Sequence, residues 1–306
     1  MLTCDHYLSP ASLDDAFEAI AANAGRCRLV AGATDILPWA REGRAGDVHI
    51  PVLIDIAGIP ELRVREIAGG RVRIGAATPF QRFLDDKSLA AALPVMPRCA
   101  IWFADDQIRE TATIGGNLVN GSPAADGTPG LMAHDAKVVL AARRNGKIER
   151  RTLPLSAFAQ GPGKTALASD EILVDIECDA LPNHGGAFEK VGHRRSLVIS
   201  TVCVAALVEI DKAAGTFRDV RIAVAGIGPV PQRCATIEAA LKGGRIAAND
   251  IAAAASNAPA LVASRSRQEY RREVVEGMVV RAVLNAARRA GADTSLLPSD
   301  FEAAYA

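Results

Sequence analysis

The run Thr113-Ile114-Gly115-Gly116-Asn117, continued by Leu118-Val119-Asn120-Gly121-Ser122-Pro123-Ala124-Ala125-Asp126, constrains this chain more than any other stretch. Adjacent glycines followed by small and amide side chains let main-chain N–H groups come close to a phosphate and converge on its oxygens. A second run of small residues, Val30-Ala31-Gly32-Ala33-Thr34-Asp35, lies well upstream, where an apolar segment ends and a helix is expected to begin. A fold that serves both runs brings two distant loops together. Two loops gripping one diphosphate suit a dinucleotide.

Around these loops the residue periodicities place the elements. Ser12-Leu13-Asp14-Asp15 resembles a capping box, and Leu13, Phe17, Ile20 and Ala21 recur at helical spacing until Gly25. Arg28 to Ala31 reads as a strand, Asp35 to Glu42 as a short helix, and Val52 to Ile56 as a buried strand. Alternation of this kind favours a small parallel sheet with a crossover helix. Downstream, Arg71 to Gly75 alternates as a half-buried strand, Thr78-Pro79 is expected to open a helix, and another helix is expected between Leu89 and Ile101. A short helix near Gly130 to His134 precedes strands at Lys137 to Ala141, Lys147 to Thr152 and Ile172 to Cys178. Leu181-Pro182-Asn183-His184-Gly185-Gly186 is turn-rich and reads as a linker. Beyond it, Ala187 to Val191, Ser200 to Ile210 and Phe217 to Ala225 read as an antiparallel meander. Helices follow near Thr236 to Leu241 and Asn249 to Ser256, and a last one at Arg267 to Arg289 has an apolar face broad enough to cover a sheet.

Charge and cysteine placement remove several function classes. Lys+Arg and Asp+Glu both number 35, so no net field gathers nucleic acid or an anionic membrane. The N-terminus lacks a leader-like pattern and no apolar stretch approaches bilayer length, which gives a cytoplasmic expectation without membrane insertion. Cys4, Cys27, Cys99, Cys178, Cys203 and Cys234 are scattered with no close pair, against a zinc or iron–sulfur site in this chain, and most are expected to be buried thiols. The histidines show no pairing at ligand spacing. No GxGxxG follows a strand, which disfavours a nicotinamide enzyme of Rossmann type.

Taken singly, each motif has an ordinary structural explanation: Gly-Gly as a turn, Asp35 as a helix cap, Lys190 with Arg194 and Arg195 as a solvated face. Their order is more specific. AGATD at Ala31 to Asp35, QIR at Gln107 to Arg109, TIGGN at Thr113 to Asn117, SPAAD at Ser122 to Asp126 and GPGKT at Gly161 to Thr165 occur in sequence. DEIL at Asp170 to Leu173, the Lys190 to Arg195 segment, Ile199-Ser200-Thr201 and Pro231 to Cys234 extend the pattern over nearly the whole chain. The chain thereby resembles the FAD-binding medium subunit of the molybdenum hydroxylases, the family of xanthine dehydrogenase and aerobic carbon monoxide dehydrogenase.

The resemblance implies an α+β fold: an FAD-binding domain at 1–180, like that of vanillyl-alcohol oxidase, built of two α/β subdomains at about 1–60 and 61–180. A C-terminal domain of a small antiparallel sheet with helices at 185–290 and a tail at 291–306 would follow. By motif matching, the expected FAD contacts are Val30, Ala31, Gly32, Ala33, Thr34, Asp35, Arg109, Thr113, Ile114, Gly115, Gly116, Asn117, Asn120, Asp126, Leu173 and Lys190, with no catalytic acid or base and no metal ligand. Lys190 could counter charge on a reduced flavin. The expected partners are a large molybdopterin subunit that oxidises a purine or related N-heterocycle and a small subunit with two two-iron two-sulfur clusters. NAD or another acceptor would take the electrons, and the assembly would be a dimer of heterotrimers. The alternative is a freestanding FAD-dependent oxidoreductase of the same fold. Two departures stand out. Ala33 replaces a usual glycine, which is costly if φ there is positive, and Val198 stands where xanthine dehydrogenase relatives often carry an aspartate, which weakens the case for NAD.

Overall fold

The computed structural model describes residues 1–194 and 197–293; the expectations placed on Arg195 and on the tail from 294 onward lie outside the described residues. The chain opens with a three-stranded parallel sheet of β1 (His6–Leu8), β2 (Cys27–Val30) and β3 (Val52–Asp55), with β3 in the middle. Helix α1 (Leu13–Ala22) crosses from β1 to β2, and α2 (Ile36–Arg41) follows β2. The Ser12 hydroxyl accepts from the Asp15 amide to start α1, whose buried face is Leu13, Ala16, Phe17 and Ile20. The parallel sheet and its crossover are thus as expected. Strand β1 was not foreseen, since three half-exposed residues carry no readable alternation.

A five-stranded antiparallel sheet follows, in the order β4 (Arg65–Ala68), β5 (Arg71–Gly75), β10 (Ile172–Asp179), β6 (Lys137–Arg144) and β7 (Lys147–Pro154). Between β5 and β6 run six short helices: α3 (Arg82–Asp85), α4 (Lys87–Ala92), α5 (Met96–Trp102), α6 (Asp106–Thr111), α7 (Ile114–Val119) and α8 (Gly127–Ala133). Helix α9 (Leu155–Phe158) and a small hairpin of β8 (Ala159–Gly161) and β9 (Lys164–Thr165) lie between β7 and β10.

Two expected helices differ. Thr78-Pro79 does not open one; Pro79 bridges to Thr113 and the Phe80 amide donates to the Ala112 carbonyl, so α3 begins only at Arg82. The helix expected from Leu89 to Ile101 is two helices, because Pro94 cannot donate and disfavours helical dihedrals at Leu93 (φ −124°, ψ 67°).

The remainder is a meander of β11 (Gly185–Val191), β12 (Val202–Asp211), β13 (Thr216–Ala225) and β14 (Gln232–Arg233), followed by α10 (Ala235–Leu241), α11 (Ala248–Ala255) and α12 (Gln268–Arg289). Strand β12 shows why its sequence is apolar at every position. Val202, Val204, Ala206 and Val208 face one core with Val275, Val279 and Val283 of α12. Cys203, Ala205 and Leu207 face the opposite way into the core of α5, α7, α8 and the five-stranded sheet. One hydrophobic cluster therefore joins residues from Val72 to Ala225. The cysteines are free thiols, with Cys99, Cys178, Cys203 and Cys234 buried.

Candidate functional site

The β2–α2 loop and the start of α7 form opposite walls of a cleft of about 300 Å³. Gly32 is required by close approach: a Cβ there would stand 2.0 Å from the Thr111 carbonyl oxygen and 2.9 Å from Ala112 Cα. Ala33 sits at φ 55°, the left-handed region expected to be costly for a residue with a Cβ. Asp35 returns to φ −100°, ψ −45° and leads into α2. Among the described residues, the main-chain N–H groups of Gly32, Ala33, Thr34, Asp35 and Ile36 meet no acceptor. Alternation of left- and right-handed backbone turns successive amides inward and makes a concavity that suits an anion.

The Gly-Gly run behaves differently from its sequence reading. It is the first turn of α7, with the Thr113 hydroxyl accepting from the Gly116 amide at 3.1 Å. The Ile114 and Gly115 amides donate to the Thr78 and Ala76 carbonyls, each at 2.9 Å, and the Asn117 amide to the Thr113 carbonyl. A Cβ on Gly115 would lie 2.6 Å from the Ala76 carbonyl oxygen. The glycine pair thus lets α7 pack against the end of β5, and its amides are already engaged. The donors free for an anion come from the upstream loop.

Asn120 ties the walls together, its Nδ2 donating to Asp35 Oδ2 at 3.0 Å. Crowding at the cleft desolvates the Asp35 carboxyl and raises its pKa above the ordinary value. Of the expected residues, Val30 to Asp35, Thr113, Gly116, Asn117 and Asn120 line the cleft. Ile114 and Leu173 belong to the core behind it. Arg109 is buried and acts as a prop: Nη1 donates to the Phe103 carbonyl at 2.9 Å and Nε to Gln81 Oε1 at 3.2 Å. Phe103, stacked on Phe80 at 3.9 Å, lines the cleft.

Behind that end lies a buried ion pair. Lys190 Nζ donates to Asp126 Oδ2 at 2.6 Å and to the Trp102 carbonyl at 3.3 Å, while the Ser200 hydroxyl donates to Asp126 Oδ1 at 2.6 Å. Burial pushes the Asp126 carboxyl up, against the opposing pull of Lys190 and Ser200. The cleft and the pair adjoin through Asn117, whose Oδ1 accepts from the Gly127 amide at 3.2 Å. Sequence reading missed Phe103, Gly163, Arg28, Trp39 and Arg44, which also line the cleft. Trp39 had a signal, lying one helical turn beyond the AGATD loop, and Gly163 had one within the GPGKT motif. Among the described residues no group of three or more His, Cys, Asp or Glu could hold a metal ion, and no helix is long and apolar enough to cross a membrane.

A parallel sheet, an antiparallel sheet and a cleft of unpaired amides between their loops define a protein with a site suited to a bound anion such as a diphosphate. A family model described as the FAD binding domain in molybdopterin dehydrogenase matches residues 3–180, and one described as the CO dehydrogenase flavoprotein C-terminal domain matches 187–286. The chain belongs to this family of FAD-carrying subunits of xanthine and CO dehydrogenase-type molybdenum hydroxylases. It is 32% identical over 292 residues to a putative xanthine dehydrogenase FAD-binding subunit of Escherichia coli (strain K12), covering 93% of this chain and 97% of that one. It is 31% identical to the carbon monoxide dehydrogenase medium chain of Hydrogenophaga pseudoflava, covering 92% and 96%. A solved carbon monoxide dehydrogenase from that organism, lacking the Mo-pyranopterin moiety of its cofactor, superimposes with a TM-score of 0.85 at 29% identity, covering 94% and 99%.

Proposed function

We propose that this chain is the electron outlet of a molybdenum hydroxylase, receiving electrons from a partner's iron–sulfur clusters and delivering them to NAD or another acceptor. The observation that carries the assignment of the site is the set of unpaired amides at Gly32 to Ile36, a donor array that fits the FAD diphosphate. Val30 to Asp35 would hold that diphosphate and the adjoining ribityl, with Thr113, Gly116, Asn117 and Asn120 closing the opposite wall. Ile114 and Gly115 support this wall from behind. Asp126, Lys190 and Leu173 would fix the surroundings of the ring, and Arg109 would hold Phe103 in place. FAD, when bound, supplies the exchange between single electrons and electron pairs; the protein binds it, orients it and excludes water.

Substrate oxidation would then fall to a large molybdopterin subunit and electron relay to a small iron–sulfur subunit, in a cytoplasmic dimer of heterotrimers. The scattered free cysteines support placing the clusters outside this chain. Names of relatives support a small substrate without choosing one, since they include xanthine, carbon monoxide and nicotine enzymes. Purines and related N-heterocycles remain the substrate class we propose.

The test is purification from the native host, with released flavin identified and copurifying chains sized. FAD together with a large molybdenum chain and a small iron–sulfur chain, and NAD reduction on adding hypoxanthine, is the expected result. Reduction of an artificial acceptor but not NAD would exclude NAD and assign the electrons to another acceptor. FAD on a solitary chain that turns over a substrate unaided would refute the outlet reading in favour of a freestanding oxidoreductase.

A further inference from the structure

A second cleft, of about 410 Å³, opens on the other side of the Pro79–Thr113 bridge and is lined by Arg63, Arg65, Thr78, Pro79, Arg82 and Glu110. The three arginines come from three elements: the 3-10 turn Pro60–Arg63, β4 and α3. Such convergence is not a run of solvated charge along one face.

Their existing partners are loose. Arg65 Nε is 3.7 Å from Asp86 Oδ2, and Arg82 reaches Asp85 at 3.3 Å and Glu110 at 3.2 Å, all with partly exposed side chains. Pairs of this kind contribute little and are readily exchanged for a better anion. Arg63 has no carboxylate partner among the described residues. Thr78 adds an independent sign: it is 1% exposed, and its hydroxyl has no hydrogen-bond partner. A buried hydroxyl left unpaired is unfavourable, so a native structure that keeps one calls for an explanation.

We propose that this cleft is a binding site for a phosphate group, with Arg63, Arg65 and Arg82 as the cationic wall and the Thr78 hydroxyl as a donor at its floor. Guanidinium groups match phosphate oxygens by paired N–H donors, and a threonine hydroxyl can complete the set. Glu110 is the one anionic wall residue and opposes binding. The site shares only a backbone bridge with the flavin cleft and does not depend on the electron-outlet reading.

The experiment uses the FAD-saturated protein with its natural partners, so that the flavin cleft is filled. Inorganic phosphate and AMP are titrated separately by calorimetry at low ionic strength. Saturable binding with Kd on the order of 1 mM or tighter is expected. Equal affinity for the two probes would identify the free anion as the ligand, and AMP binding about tenfold tighter would identify a nucleotide phosphate. Arg63→Gln should weaken binding roughly tenfold and Glu110→Gln should strengthen it. Thr78→Val should weaken binding several-fold while raising the melting temperature, an opposition that a purely structural threonine would not produce. Absence of saturable binding by either probe, or affinity unchanged in Arg63→Gln and Thr78→Val, would overturn the proposal.

Discussion

Replacing Lys190 with methionine keeps the length of the side chain and removes its charge, which isolates the ion pair behind the flavin cleft. The side chains of Lys190 and Asp126 are 2% and 8% exposed and meet at 2.6 Å. Removing one member of such a pair strands the other, at a cost of roughly 3–5 kcal/mol. Ser200 still donates to Asp126 Oδ1, so the lower end, about 3 kcal/mol, applies. At roughly 2–4 °C per kcal/mol for a protein approaching this size, Lys190→Met should lower the melting temperature by about 6–12 °C. The double variant Lys190→Met/Asp126→Asn removes the stranded charge and should recover roughly half of that loss, so the two substitutions are far from additive in a double-mutant cycle. The single variant should also acquire a pH dependence. Burial already holds Asp126 above its ordinary value, and without Lys190 only Ser200 and nearby weaker donors oppose that burial. Its stability should therefore be greatest below the unfolded carboxyl pKa of about 3.9 and fall as pH rises through the elevated folded value. Differential scanning calorimetry of the FAD-loaded proteins across pH provides all three readings. A loss below about 1 kcal/mol, additive effects in the cycle, or a flat pH profile would refute the reasoning.

Three further outcomes follow from particular atoms. Ala33→Gly should stabilise the protein by about 0.5–1 kcal/mol, relief of left-handed strain exceeding the added freedom of the unfolded chain, as read by thermal melting without loss of flavin. Gly32→Ala places a methyl where the Thr111 carbonyl stands, and should cost about 1–3 kcal/mol and release FAD in gel filtration. His134 is buried, with its pKa pulled down to about 3 by desolvation, so the folded protein takes up this proton later than the unfolded chain on acidification. Stability it supports is present above about pH 6.5 and drains away as pH falls toward 3, and His134→Asn should flatten that limb in urea titrations.

The periodic parts of the fold were legible because periodicity is a local property. The Ser12 cap, the apolar stripe of α12 and the doubly buried run of β12 each announce an element without reference to distant residues. Short elements were not: β1 has three residues, and Pro94 divides into α4 and α5 a stretch whose apolar residues read as one helix. At the site, the sequence marked both loops and gave both the same task, a grip on one diphosphate, whereas the free amides lie in the upstream loop. Glycine is used for close packing as often as for donation, and only the positions of the Ala76 and Thr78 carbonyls distinguish these at Gly115 and Ile114. Phe103, Arg28 and Arg44 reach the cleft through tertiary placement and carry no local signal.

The core that runs from Val72 to Ala225 has a temporal consequence. The helices between β5 and β6 are covered in part by Phe188, Cys203, Ala205, Leu207, Ala223 and Ala225, which are synthesised after everything that precedes residue 180. At ribosomal speeds of about 5–20 residues per second, the missing layer emerges some seconds after the first two sheets are complete. During that interval the nascent chain carries an open apolar flank, and slower translation across residues 181–225 would lengthen its exposure to chaperones and to other nascent chains.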